Sequence, residues 1–126
     1  MRTVKLFVLV IAVLCIHVSL ASALMQQKPE KFLGTWEVKS AEAPYEYSRS
    51  TVKIFKKGNK LEGTISFTNT STYSLKDVKI DKNKLVFKLD LEGEIIQVEA
   101  LNEKGTLVGS ALSSQGTTRF TGTRKK

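Results

Sequence analysis

From Gly34 onward the chain alternates apolar and polar residues with period two, in short runs rich in Val, Ile, Phe and Thr and separated by clusters of Gly, Asn, Asp and Ser. Such alternation puts successive side chains on opposite faces of a half-buried strand, and no stretch sustains the period of a helix. The pattern predicts eight strands, at 34–40, 48–56, 60–67, 73–80, 84–91, 94–101, 106–112 and 117–124. The third is the clearest, with Leu61, Gly63, Ile65 and Phe67 opposite Glu62, Thr64, Ser66 and Thr68. The fifth sets Leu85, Phe87, Leu89 and Leu91 against Val86, Lys88 and Asp90, and the sixth sets Ile96, Val98 and Ala100 against Ile95, Gln97 and Glu99. The fourth keeps its phase only if a bulge near Lys76 and Asp77 lets Leu75, Val78 and Ile80 share a face.

Short connections built from turn residues, such as Lys57-Gly58-Asn59, Asp81-Lys82-Asn83 and Glu92-Gly93, make consecutive strands antiparallel neighbours. A meander with one apolar face hides that face either by closing into a barrel or by splitting into a two-sheet sandwich. Closure also removes the exposed edges, and Gly63, Gly109 and Gly122, each inside a strand, allow the sharp bends that it needs. The expected fold is therefore all-β, an eight-stranded antiparallel up-and-down β-barrel. Such a barrel is filled by side chains or holds one small ligand.

Residues 1–23 carry a different signal. Arg2 and Lys5 precede an apolar run over 6–20, and Ala21-Ser22-Ala23 follows as a small-residue cleavage site. That is the form of an export signal peptide, and the run is shorter than the roughly 20 residues of a spanning helix. The expected organisation is a signal peptide at 1–23, a lead segment at 24–33 and a barrel domain at 34–126, exported to the periplasm or secreted, with no membrane span in the mature chain. Retention as an uncleaved anchor is the rival reading. Cleavage matters for chemistry because Cys15 and His17, the only thiol and the only imidazole, lie in the removed segment. The mature chain then has no disulfide, no Cys or His metal ligand and no His-activated nucleophile. No cofactor or metal is expected.

Phe32-Leu33-Gly34-Thr35-Trp36-Glu37-Val38 resembles the opening of the calycin superfamily, whose first strand carries Gly-x-Trp. The closing Phe120-Thr121-Gly122-Thr123-Arg124 is similar to the end of small exported bacterial lipocalin-like β-barrel domains. The resemblance implies that Trp36 closes the barrel floor and that Arg124 lies across its ring, a cation–π contact of about 0.5–2 kcal/mol. Residues 41–47 are too few for the helical lid of fatty-acid-binding proteins, and the aromatic set of an avidin-like site is missing.

Strand alternation puts the 41–47 and 68–72 connections at one end of the barrel, and Trp36 with the tight Lys, Asn and Gly turns at the other. The first end holds every tyrosine: Tyr45, Tyr47 and Tyr73. Tyrosine joins a flat apolar face to a hydroxyl, so these residues form a candidate binding mouth, or else a plug over the barrel end. Arg49 stands near that mouth as a candidate partner for an anionic ligand group. Phe67, Phe87 and Phe120 fall on inward faces, with Phe67 nearest the mouth as a candidate contact.

The formal charge is +8, from 20 Lys plus Arg against 12 Asp plus Glu. Much of the excess gathers near the floor, in Lys53, Lys56, Lys57 and Lys60, in Lys76, Lys79, Lys82 and Lys84, and in Arg124-Lys125-Lys126. No aromatic residues alternate with these lysines as a nucleic-acid stacking platform requires, so no nucleic-acid partner is expected. The acid pairs Glu92 with Glu94 and Glu42 with Glu46 sit at turns, where solvated charge is the ordinary role, and no enzymatic activity is expected. Two functions follow. One is a non-enzymatic extracytoplasmic binding module for a small apolar or amphipathic ligand. The other is an exported interaction or inhibitor protein with a filled barrel, acting through its basic surface on an envelope polymer or a protein partner.

Overall fold

The computed structural model describes residues 29–68 and 71–125. The signal peptide expected at 1–23 and the first half of the expected lead segment, 24–28, lie outside the described residues. Alternation becomes a single antiparallel sheet: β1 (Gly34–Lys39), β2 (Arg49–Lys57), β3 (Lys60–Phe67), β4 (Thr72–Ser74), β5 (Lys76–Asp81), β6 (Lys84–Leu91), β7 (Glu94–Glu103), β8 (Thr106–Ser113) and β9 (Gly116–Arg124). Neighbours in space run β4-β3-β2-β1-β9-β8-β7-β6-β5. The first and last strands are therefore adjacent, with Trp36 opposite Arg124 and Val38 opposite Gly122. The fold is a nearly closed up-and-down barrel.

Nine strands replace the expected eight because the fourth changes partner partway along. Its first part, β4, pairs with β3 through Thr64↔Ser74 and Ser66↔Thr72. The Leu75 amide still donates to the Gly63 carbonyl at 2.9 Å, and then β5 turns away to pair with β6. The register slips between Lys76 and Lys79, where Asp77 takes a φ of 52°. This is the predicted bulge, and it keeps Leu75, Val78 and Ile80 turned inward while Asp77 and Lys79 are exposed. One strand thus bridges both sides of the barrel's seam and leaves the lower part of β3 without a ladder partner there.

Two of the three strand glycines are points of close approach. A Cβ at Gly63 would lie 2.6 Å from the Lys53 carbonyl oxygen and 2.8 Å from Leu75 Cδ1. At Gly109 it would lie 2.7 Å from Phe120 Cζ and 2.9 Å from Ala100 Cα. The curvature that closes the sheet brings neighbouring strands into the space a side chain would fill.

The core lies inside the barrel and follows the inward parity of each strand: Val52 and Ile54, Ile65, Leu85, Phe87 and Leu89, Val98 and Ala100, and Leu107 are all buried. The outer face is mostly polar, with Phe55, Ile95, Leu101, Val108 and Leu112 exposed among its polar residues, and it carries cross-strand ion pairs, among them Lys76–Asp90 at 3.5 Å and Lys84–Glu99 at 3.7 Å. Exposed pairs of this kind add little to stability. No helix among the described residues is long and apolar enough to cross a membrane.

Candidate functional site

The two ends of the barrel are built differently. At the floor a 3-10 turn, Pro29–Lys31, leads into Phe32, which is 1% exposed and packs into the core beside Trp36, itself fully buried. The indole Nε1 donates to the Phe32 carbonyl at 2.9 Å, so the ring buries its apolar body without an orphaned donor. The Arg124 guanidinium carbon stands 4.6 Å from the Trp36 ring centroid. Arg124 Nη2 and Asn102 Nδ2 both donate to the Lys31 carbonyl, at 3.0 and 2.7 Å. Gly34 supports this arrangement with a φ of +120°, a conformation that residues with a Cβ rarely adopt. The floor is sealed by apolar packing inside and by hydrogen bonds across its rim.

The opposite end is open. A cavity of about 350 Å3 runs down from it between Val52, Ile65, Phe87, Val98, Leu107 and Phe120. Its upper rim is formed by Ala43, Pro44 and Tyr47 from the loop after β1, and by Glu94, Ser113 and Gln115 from the β7 start and the β8–β9 turn. The loop is fastened in place rather than loose. Ser40 Oγ donates to the Arg119 carbonyl at 2.7 Å, and the Glu42 carboxylate accepts from the Arg119 backbone N–H at 2.9 Å and from its Nε at 3.2 Å. These bonds hold the Glu42 carboxyl below the usual carboxylate range. Glu94 is lowered too, because the hydroxyl and the backbone N–H of Ser114 both donate to its Oε1. Tyr47 is pushed up, first by loss of solvent around its hydroxyl and then by the nearby negative charges of Glu92 and Glu46.

The predicted site residues divide. Tyr47, Phe67 and Tyr73 come together as an edge-to-face ladder, with ring centroids 5.1 Å apart for Tyr47 and Phe67 and 6.0 Å for Phe67 and Tyr73. Tyr47 and Phe67 line the lumen, while Tyr73 packs behind Phe67 against the core. Tyr45 is 92% exposed and points away from the cavity. Arg49 is likewise exposed, on the outer face, where it borders a shallow groove with Glu37, Lys39 and Thr51. Its position follows from strand parity, since Ser50, Val52 and Ile54 take the inward places on β2. No basic residue therefore reaches the lumen from β2.

Glu94, in sequence one of a turn acid pair, lines the mouth. The signal was present, because Glu94 shares the parity of Ile96, Val98 and Ala100 and must face inward with them. Phe32, which the sequence places in the opening motif and at the end of the lead segment, is a buried core residue of the floor. A second and larger cleft, of about 880 Å3, follows the seam between β3 and β5. Its walls mix Lys56, Lys60, Glu62, Asp77 and Lys79 with aliphatic side chains, in contrast to the lumen, which is mainly apolar and has Glu94 as its one charged lining residue among the described residues.

No protein-family model and no curated protein matches the sequence. Among solved structures the chain is similar to the wild-type fluorescent protein UnaG, with a TM-score of 0.51 and 19% identity, covering 78% of this chain and 100% of UnaG. A point variant of UnaG gives a TM-score of 0.52 at 17% identity, covering 79% and 99%. The zebrafish ileal bile acid-binding protein complexed with cholic acid gives 0.46 at 16% identity, covering 75% and 99%. The UnaG likeness is one of fold.

Proposed function

We propose that this chain is a non-enzymatic binding barrel that takes one small, partly apolar ligand into its lumen through the Tyr47 end. The observation that carries this reading is the cavity of about 350 Å3, apolar along its walls and bordered by a few polar groups at a single opening. Pockets of roughly 300–1,000 Å3 with that division of surface are the usual form of a small-molecule site. The cavity favours this reading over the alternative of an interaction protein with a filled barrel. Export to the periplasm or beyond is part of the proposal and is supported by the signal-like residues 1–23; sequencing the N-terminus of protein recovered from its source tests it.

Binding itself is tested by titration with 1-aminoanthracene, a neutral aromatic amine whose emission rises in apolar surroundings. Ala111 lines the lumen on β8, so Ala111→Phe fills the cavity from its wall. The native chain should bind the dye saturably at one site, and Ala111→Phe should weaken binding at least tenfold while remaining folded by circular dichroism. Equal binding by a folded Ala111→Phe protein would place the dye elsewhere and refute the lumen as the site.

A further inference from the structure

The whole chain is strongly basic, at +8, and on net charge alone an anionic ligand would be favoured. The cavity has the opposite polarity. Among the described residues no Lys or Arg lines it, and its one charged lining residue is Glu94. The cations nearest the mouth are turned outward or engaged: Arg49 is on the outer face, and Arg119 is held by Glu42 at 3.2 Å. The charges that raise Tyr47 at the same mouth, Glu92 and Glu46, are negative too. The carboxylate is also fixed in direction. Both Ser114 donors go to Oε1, which leaves Oε2 free of protein donors among the described residues.

From this geometry, and resting on the lumen being the binding site, we propose that the barrel selects a ligand with an apolar body and a protonated amine or similar cationic donor head placed at Glu94. An ammonium group carries three donors and no acceptor, which suits a carboxylate oxygen left open at the rim of an apolar cavity. A carboxylate head in the same place would meet a like charge, with no cation among the described residues lining the cavity to receive it. Cavity size sets the body: about 350 Å3, at about 30 Å3 per water, is the room of roughly a dozen waters, enough for a ligand of about ten to fifteen non-hydrogen atoms.

Decylamine, decanol and decanoate match that size and differ only in the head, and displacement of 1-aminoanthracene reads their affinities in one assay. Decylamine should bind about tenfold or more tighter than decanoate in spite of the protein's net positive charge. In Glu94→Gln, which keeps an acceptor for Ser114, the decylamine-to-decanoate ratio should collapse about tenfold; in Glu94→Asp, which keeps the charge, most of the preference should persist. Thermal unfolding of each variant shows whether it is folded. Decanoate binding as tightly as decylamine, with decanol also bound, would overturn cationic selection and leave the binding barrel standing. A preference that survives intact in folded Glu94→Gln would also overturn it. If none of the three displaces the dye, decanol included, the lumen is not the site and both readings fall.

Discussion

Two aromatic side chains decide what the ends of this molecule do. Trp36 is sealed on every side, with its indole N–H satisfied by Phe32 and its face covered by Arg124. Tyr47 stands at the opposite end, with one edge on Phe67 and its ring bordering the cavity. A ligand in the lumen meets Tyr47 and never meets Tyr45, which is 92% exposed. Tyr47→Ala should therefore weaken 1-aminoanthracene binding by about 1–2 kcal/mol, the scale of a lost aromatic contact with its buried area, whereas Tyr45→Ala should bind as the native chain does. Matching losses in the two variants would mean that the loop acts as a whole and not through one ring. The sequence distinguishes the two tyrosines poorly, because both sit in a loop where period-two parity gives no direction. Parity does give a direction at Arg49 and Glu94: each lies on a strand whose inward positions are set by its apolar neighbours, so Arg49 turns out and Glu94 turns in. What the sequence does not reveal is the pairing that orients a carboxylate once it is there, since Ser114 comes from a different hairpin.

Strand boundaries are the most legible feature of the chain. The runs at 60–67 and 84–91 match β3 and β6 end to end, and the others shift by no more than a residue or two. Alternation is strong wherever one face is buried and the other wet, because a slip of one residue would invert every side chain. The fourth run departs from this because it serves two partners, and a partner change depends on the distance between β3 and β6 across the barrel, which no local pattern encodes. Loops are less legible still. The segment between β1 and β2 owes its position to Glu42, which ties it to β9 through both donors of Arg119. Since the folded pKa of Glu42 lies below its ordinary value of 4.5, that tie adds stability above pH 4.5 and loses it as pH falls through the folded value. Thermal midpoints measured from neutral pH down to about pH 3 should show Glu42→Gln less stable than the native chain near neutrality, with the gap narrowing in acid. A gap that stays constant or widens as pH falls would show that the Glu42 charge does not hold the loop.

Taken together, the strands make a vessel with one closed end. Ring closure between β1 and β9, the kinked seam strand and the Phe32–Trp36 floor leave the apolar interior with a single rim of mixed polarity, and that asymmetry underlies the functional reading. Closure was legible, because a one-sided meander with interior glycines has few ways to hide its core. Whether the interior is full or hollow was not, because the answer depends on how far nine strands stand apart relative to the summed volume of their inward side chains. Phe67, Phe87 and Phe120 line the wall without meeting across the space. An apolar cavity takes up xenon, whereas a packed core does not. Diffraction from a crystal of the protein held under xenon pressure should show density for the gas inside the barrel, among Phe87, Val98 and Phe120. Side chains filling that space, with no xenon between them, would contradict the hollow barrel on which the binding function rests.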